Sequence, residues 1–239
     1  ADAVRAIKHG AADFLTKPFT TADLLASLGR AFAVHPAAAA PAAAPARFGP
    51  LLAGSALFRR TLAQLEHAAA SDAPLLLCGE PGTGKATAAR ALHDAGPRAS
   101  GPFVHVPCAA VPPDDATRTL FGAPGGRGGR LSAATRGTLL LDGLEHLPRA
   151  AQAQLARHLT TTAAPRAARL VATSAGAPDV LVERRLLDDA LAAALLPGAI
   201  VLPPLRARPA DIVVLARHFA AQLGRQADAA GVTLSAAAL

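Results

Sequence analysis

Apolar runs and amphipathic segments alternate along the chain from residue 51 onwards. Apolar residues at helical spacing predict helices over residues 56–69, 85–95 and 149–159. Uninterrupted apolar runs between and after them predict buried strands at residues 73–78, 103–106, 138–141, 169–173 and 200–202. Strands that alternate with helices are typical of a parallel sheet with helices on both faces. The pattern therefore predicts an α/β fold built on a doubly wound parallel sheet.

Changes in this pattern divide the chain into four predicted segments. Residues 1–33 predict a helix, a short strand and a second helix. Residues 34–49 set prolines among alanines without an apolar period, which predicts a linker. The main α/β domain is expected over residues 50–205, and residues 206–239 begin a mainly helical segment.

Composition excludes several classes of protein. Apolar residues make up 51% of the 239 positions, which excludes a disordered chain. We expect no membrane association, because no apolar run approaches ~18 residues and the N-terminal residues carry scattered charges where a secretory signal would be apolar. Two cysteines, Cys78 and Cys108, cannot form a disulfide framework, which favours a cytoplasmic location. Because the sequence contains no methionine, we expect it to be a piece of a longer protein.

Positive charge is spread thinly along the chain. The net charge is +7, but no block of like charges forms the basic arm typical of nucleic-acid binding. Only Lys8, Lys17 and Lys85 are lysines, and all other basic residues are arginines apart from the histidines. A position that stays lysine in such a chain is expected to need a compact, flexible point charge.

A glycine-rich loop between a predicted strand and a predicted helix indicates nucleotide binding. The segment from Gly79 to Lys85 fits G-x-x-x-x-G-K, in which glycine backbone conformations turn N–H groups towards phosphate oxygens and the lysine contacts the outer phosphates. The position where a Ser or Thr would bind Mg²⁺ is Ala86, and Thr87 follows one residue later. The predicted nucleotide-binding residues are Gly79, Glu80, Pro81, Gly82, Thr83, Gly84, Lys85, Ala86 and Thr87.

An acidic residue at the end of the third predicted strand indicates a metal site. Asp142 follows Leu141, at the place where the second acidic motif of P-loop proteins orients Mg²⁺. The next position, where a carboxylate could activate water, is Gly143. Glu145 lies two residues further on, and its side chain is expected to point elsewhere unless the loop reshapes.

Together these motifs resemble the AAA+ domain of sigma-54-dependent transcriptional activators of the NtrC type. The resemblance rests on five blocks in the right order, at residues 75–92, 101–111, 120–122, 137–148 and 202–219. Residues 1–33, with GAADFLTKPF, resemble the last third of a response-regulator receiver domain. The resemblance implies that residues 50–205 are the nucleotide-binding subdomain of an AAA+ fold, that residues 206–239 begin its helical subdomain, and that Lys17 contacts the receiver's phosphoryl group.

The sequence departs from this family at several functional positions. The loop that should contact sigma-54 is short and Gly-rich here, at residues 123–129. The water-activating Glu of the second motif is replaced by Gly143, and the sensor Asn by Ser174. By spacing, the places of the two trans-acting arginines are Asp188 and Ala194, and Arg184 and Arg185 are out of register.

The sequence therefore favours the ATP-binding AAA+ module of a two-component transcriptional regulator, with ATP and Mg²⁺ as cofactors and hydrolysis weak or lost. The family implies a homo-oligomer, the sigma-54 RNA polymerase holoenzyme as partner, and DNA contact through a domain outside this chain. Two alternatives stay open at this point. One is an active sigma-54 activator ATPase in which Glu145 or an arginine at 184–185 replaces the absent groups. The other is a structural or dimerisation domain that binds no nucleotide.

Overall fold

The computed structural model describes residues 46–123, 128–161 and 167–226. All of them lie in the second of the two units into which the chain divides, Pro45–Leu239. The receiver-like segment predicted for residues 1–33, with Lys17, lies outside the described residues, as do residues 34–45 of the predicted linker. None of the described helices has both the length and the apolar character needed to cross a membrane.

A five-stranded parallel sheet forms the centre of the described unit. The strands in chain order are β1 (Ala46–Phe48), β2 (Leu51–Ala53), β3 (Leu75–Cys78), β4 (Phe103–Pro107), β5 (Thr138–Asp142), β6 (Arg169–Ser174) and β7 (Ile200–Val201). Five of these strands form the parallel sheet. Their order is β4-β5-β6-β3-β7, and all neighbouring strands in it run parallel. This arrangement places the carboxyl ends of β3, β5 and β6 side by side, where ligands bind in open α/β sheets.

Helices cover both faces of this sheet. They are α1 (Ala56–Ala69), α2 (Lys85–Ala95), α3 (Ala116–Phe121), α4 (Arg130–Ala133), α5 (Arg149–Thr161), α6 (Pro178–Glu183), α7 (Asp189–Leu195) and α8 (Ala210–Gln226). Side chains of α1 and α2 share one buried cluster with Leu77 and Leu140, whereas α3, α5 and α7 share the other with Leu76 and Leu139. Successive strand residues thus point to opposite faces, and the predicted doubly wound α/β fold is confirmed.

The five strands of the parallel sheet and the longer helices lie where the sequence predicts them. Helices α1 and α2 have the predicted bounds, and α5 begins at the predicted residue and extends two residues further. Helix α1 begins after Ser55, whose side-chain oxygen accepts a hydrogen bond from the Phe58 N–H at 3.2 Å. This bond satisfies one of the N–H groups that lack an acceptor in the first turn of a helix.

The described domain begins earlier than the sequence predicts. Residues 46–49 were expected to belong to the linker, but β1 pairs antiparallel with β2, with Phe48 opposite Leu51. Phe48 and Leu51 are both buried and pack against the cluster that contains α1 and α2. Because Phe48 adds an apolar side chain to the core, residues 46–49 belong to the described domain and not to a linker.

Candidate nucleotide-binding site

The glycine-rich loop joins β3 to α2, as the motif requires. Gly82 and Gly84 have φ angles of +82° and +98°, in the left-handed region that glycine tolerates. Gly84 is the residue before α2 and provides no side-chain cap. The first-turn N–H groups of a helix have no intrahelical acceptor, so this helix start has donors and a positive dipole end available for an anion.

The Lys85 side chain folds back onto the glycine-rich loop that precedes it. Its Nζ donates hydrogen bonds to the carbonyl oxygens of Gly79 at 2.6 Å and Glu80 at 3.0 Å. The ammonium group therefore stays at the mouth of the loop, bound to backbone oxygens. A phosphate oxygen carries more negative charge than a carbonyl oxygen and forms a stronger, charge-assisted hydrogen bond with an ammonium group.

The loop and the sheet edge enclose a cleft of about 500 Å³. It is lined by Pro81, Gly82, Gly84, Lys85, Ala86, Thr87, Asp142, Gly143, Glu145, His146, Thr173 and Ala175. Six of the nine predicted nucleotide-binding residues are therefore brought together with the predicted metal-binding residue, Asp142. Of the other three, Thr83 is buried and its Oγ1 donates to the Glu80 carbonyl at 2.9 Å, while the Glu80 carboxylate pairs with Arg206 and Gly79 joins the loop to the sheet.

Asp142 is held by two neighbours at the end of β5. Thr173 Oγ1 donates a hydrogen bond to Asp142 Oδ1 and accepts one from the Gly143 N–H at 3.0 Å. His105 Nε2 lies 3.3 Å from Asp142 Oδ2. Within the described residues no group of three His, Cys, Asp or Glu side chains could hold a metal ion. A single carboxylate opposite a phosphate loop fits Mg²⁺, which takes most of its ligands from water and phosphates.

The chain after β5 reshapes, which is the condition under which the Glu145 side chain was expected to reach this site. Gly143 has a φ angle of +79°, and the short 3₁₀ turn Leu144–His146 follows it directly. This reversal of the chain brings residue 145 back to the cleft, where its Oε1 accepts a hydrogen bond from the Ala175 N–H at 2.9 Å. Sequence spacing along an extended strand could not predict this, because the strand ends at Asp142.

Two arginines that the sequence analysis did not single out contact the phosphate loop. Arg206 pairs with the Glu80 carboxylate through both side-chain oxygens, and this hydrogen bonding lowers the pKa of Glu80. Arg208 is buried, and its Nη2 donates to the Thr83 carbonyl at 3.3 Å. Both contacts join residues 125 or more apart in the chain, so local patterns contain no signal for them.

The positions that depart from the family have structural roles in this chain. Asp188 caps α7, because its side chain accepts hydrogen bonds from the N–H groups of Ala190 and Leu191. Ala194 lies half-buried within α7. Ser174 is buried at the end of β6, and its Oγ accepts the Gly176 N–H at 3.1 Å.

The two out-of-register arginines lie away from the cleft, and the predicted contact loop is only partly described. Arg184 and Arg185 are exposed after α6 and do not line the cleft. Of the predicted contact loop, residues 124–127 are outside the described part of the chain, while Gly122 and Gly128 form an antiparallel bridge at its base.

Comparison with known proteins links this site to one family. Residues 51–173 match the sigma-54 interaction domain. The DNA-binding transcriptional regulator NtrC of Azospirillum brasilense is 35% identical over 94% of this chain and 51% of its own length. The response regulator protein FleR of Pseudomonas aeruginosa is 33% identical over 97% of this chain and 51% of its own length. The crystal structure of NtrX from Brucella abortus in complex with ATP has a TM-score of 0.66 and 28% identity, and the match covers 95% of this chain and 55% of that one.

The family match covers just over half of the chain and contains the phosphate loop, Asp142 and Thr173. The chain spans about half the length of the curated relatives it matches. The parallel sheet, the phosphate loop and the family match agree with one another. The chain therefore belongs to the sigma-54 interaction domain family, among the NtrC-type sigma-54-dependent response regulators, and has their P-loop AAA+ fold.

Proposed function

We propose that this chain is the ATP-binding AAA+ module of a two-component transcriptional regulator, with Mg²⁺ bound beside the phosphates and hydrolysis weak or lost. The observation that carries the proposal is the position of Lys85, whose ammonium group lies at the mouth of a loop with left-handed glycines and shares one cleft with Asp142. The related NtrX of Brucella abortus has been crystallised in complex with ATP. That finding supports a nucleotide at the equivalent loop of this chain.

We expect hydrolysis to be slow because this chain lacks charged groups that the family places near the phosphates. A trans-acting arginine raises phosphoryl-transfer rates by ~10³–10⁵ in related enzymes. Here the two family positions hold Asp188, which caps a helix, and Ala194, which has no charge. Gly143 occupies the place of the water-activating carboxylate. Ground-state binding depends less on these groups, because a bound nucleotide would be held by the loop backbone and Lys85.

The wider role is proposed from the family. We infer a homo-oligomer that acts in the cytoplasm on the sigma-54 RNA polymerase holoenzyme and reaches DNA through a domain outside this chain. The short Gly-rich segment at residues 123–129 in place of the family's contact loop argues for a weakened sigma-54 contact. Lys17 is proposed as the receiver residue that contacts the phosphoryl group.

Fluorescence titration of the full chain with N-methylanthraniloyl-ATP and Mg²⁺ tests nucleotide binding. We expect a Kd below about 100 µM for the unchanged protein and a rise of at least about tenfold in Lys85→Ala, because that variant loses a charge-assisted phosphate contact. Arg60→Ala removes an exposed positive charge from α1, away from the cleft, and should leave the Kd unchanged. If the unchanged protein does not bind the nucleotide, the proposal fails and the structural-domain alternative replaces it.

A further inference from the structure

An imidazole ring fills the space beside Gly143 at the end of β5. A Cβ atom placed on Gly143 would lie 2.8 Å from His146 Cδ2 and 3.6 Å from His146 Nε2. The 3₁₀ turn Leu144–His146 holds the ring there, and the His146 N–H donates to the Gly143 carbonyl at 3.0 Å. The place where the family has an acidic side chain is therefore occupied by a group that can carry a positive charge.

The His146 ring is available to a ligand in the cleft. His146 is exposed and lines the cleft together with Lys85. Within the described residues its ring forms no hydrogen bond or ion pair. The two carboxylates that line the same cleft, Asp142 and Glu145, each accept a hydrogen bond from a neighbouring residue. Of these titratable side chains, the imidazole is the one without a protein partner.

A bound nucleotide would leave negative charge uncompensated in this cleft. Among the described residues that line it, Lys85 is the one permanent cation, whereas Asp142 and Glu145 are carboxylates. The charge of Asp142 is offset once Mg²⁺ is bound, but Glu145 still adds negative charge beside a polyphosphate. A protonated imidazole at His146 offsets that charge and provides a second charged donor for a phosphate oxygen.

Two more titratable side chains lie on the segment that packs beside this turn. The 3₁₀ turn Cys108–Ala110 packs against the turn that carries His146, and burial raises the pKa of the Cys108 thiol to about 12. That thiol therefore stays neutral near neutral pH. His105 is exposed, with its Nε2 3.3 Å from Asp142 Oδ2. A protonated His105 would compete with Mg²⁺ for Asp142, so acid acting there would weaken nucleotide binding.

We propose that protonated His146 donates a hydrogen bond from Nε2 to the terminal phosphate of ATP, as a second positive charge in the cleft besides Lys85. The inference rests on the proposed ATP binding and adds a specificity, because ADP lacks that phosphate. Protonation and ATP binding favour each other, so the affinity for ATP rises as the pH falls through the range in which histidine ordinarily titrates. A protonated imidazole cannot take a proton from water, which agrees with slow hydrolysis.

Fluorescence titrations of the full chain with N-methylanthraniloyl-ATP and N-methylanthraniloyl-ADP, both with Mg²⁺, test this role at about pH 6 and about pH 8. In the unchanged protein, the ratio of the ADP Kd to the ATP Kd should rise by about fivefold at the lower pH, because a charge-assisted hydrogen bond forms with ATP alone. His146→Gln cannot gain a proton and should show no such rise. The matched control, His67→Gln, changes an exposed histidine of α1 outside the cleft and should retain the full rise.

A second readout follows the ring itself by NMR. In protein with isotopically labelled histidine, the imidazole signal that is absent from His146→Gln should titrate at a higher pH with ATP bound than with ADP bound. This measurement depends on neither turnover nor the fluorescent group.

The same pH dependence of the ADP-to-ATP ratio in His146→Gln and the unchanged protein would overturn the role of His146. So would equal changes of the ATP and ADP affinities with pH in the unchanged protein, or a His146 signal that titrates identically with either nucleotide. In each of these cases the proposed ATP binding stands, whereas failure to bind N-methylanthraniloyl-ATP at both pH values overturns both proposals.

Discussion

A single buried charge connects the phosphate loop to the chain that follows the sheet. The Arg208 guanidinium lies 3.8 Å from the centroid of the Phe58 ring, and its Nη2 donates to the Thr83 carbonyl. Its Nη1 lies 3.7 Å from Asp211 Oδ2, and both side chains are almost fully buried. Asp211 in turn accepts the N–H of Ser55, the residue that caps α1. One ion pair therefore joins the loop, the start of α1 and the start of α8.

Replacing Arg208 by methionine should cost stability. Arg208→Met preserves much of the side-chain volume but leaves Asp211 charged and buried without its counterion. Removing one partner of a buried pair costs about 3 kcal/mol, whereas an exposed pair contributes less than about 1 kcal/mol. We therefore expect a loss of about 3 kcal/mol in the free energy of unfolding, measured with urea. Arg118→Met is the control, because it breaks the exposed pair with Asp115 and should cost far less; equal losses in the two variants would contradict the role of Arg208.

At the scale of single elements, sequence patterns predict the helices that are long enough to show a periodic apolar pattern. Helices α1 and α2 have 14 and 11 residues, enough for an apolar period to mark both ends. Helices α3, α4, α6 and α7 have only four to seven residues and were not predicted, because so few residues contain little more than one turn of pattern. The three-residue strands β1 and β2 were missed for the same reason.

In the candidate site, too, only residues that are consecutive in the chain could be predicted. The phosphate loop could be predicted because its glycines, its lysine and the flanking strand and helix are consecutive in the chain. Glu145 could not be placed, because a left-handed residue at Gly143 redirects the chain after β5. Arg206 and Arg208 reach the loop only through tertiary folding, so their contacts become visible only when the sheet and α8 are in position.

The residue that caps helix α7 has a structural role here. Asp188 accepts hydrogen bonds from Ala190 N at 3.1 Å and Leu191 N at 3.3 Å, while its own N–H donates to Gln152 Oε1 at 2.7 Å. Asp188→Ala should lower the free energy of unfolding by about 1 kcal/mol in urea denaturation, and Asp188→Asn should retain most of the cap. Asp189→Ala, at the exposed next position, should cost clearly less, and a loss equal to that of Asp188→Ala would argue against capping.

At the scale of the whole molecule, contacts between helix side chains and strand side chains hold the helices against both faces of the sheet. His93 is one such contact, since it lies in the last turn of α2 and is 3% exposed. Its Nδ1 is 3.0 Å from Thr138 Oγ1 of β5, and its ring centroid lies 5.2 Å from that of Phe103 in β4. A neutral imidazole therefore fills a place between α2 and two strands of the sheet.

This position gives unfolding a pH dependence. Burial lowers the pKa of His93 below its ordinary value of 6.5, so below that pH the unfolded chain binds a proton that the folded chain does not. Unfolding is thus favoured as the pH falls through 6.5. The free energy of unfolding decreases by at most about 1.4 kcal/mol per pH unit because of His93, and well above pH 6.5 His93 gives it no pH dependence.

Urea unfolding of the unchanged protein and of His93→Gln at a series of pH values between about 7.5 and 5.5 isolates this contribution. The variant loses the ring contacts and should be less stable at every pH, but its free energy of unfolding should fall less steeply with acid. Two carboxylate contacts are also acid-sensitive but titrate at lower pH. Hydrogen bonds from Arg98 and Arg206 lower the pKa values of Asp72 and Glu80 below 3.8 and 4.5, so the stability that these contacts contribute is lost only in stronger acid. His67→Gln, an exposed change on α1, should keep the steep slope. Parallel curves for His93→Gln and the unchanged protein would mean that the buried imidazole is not what makes the fold acid-sensitive.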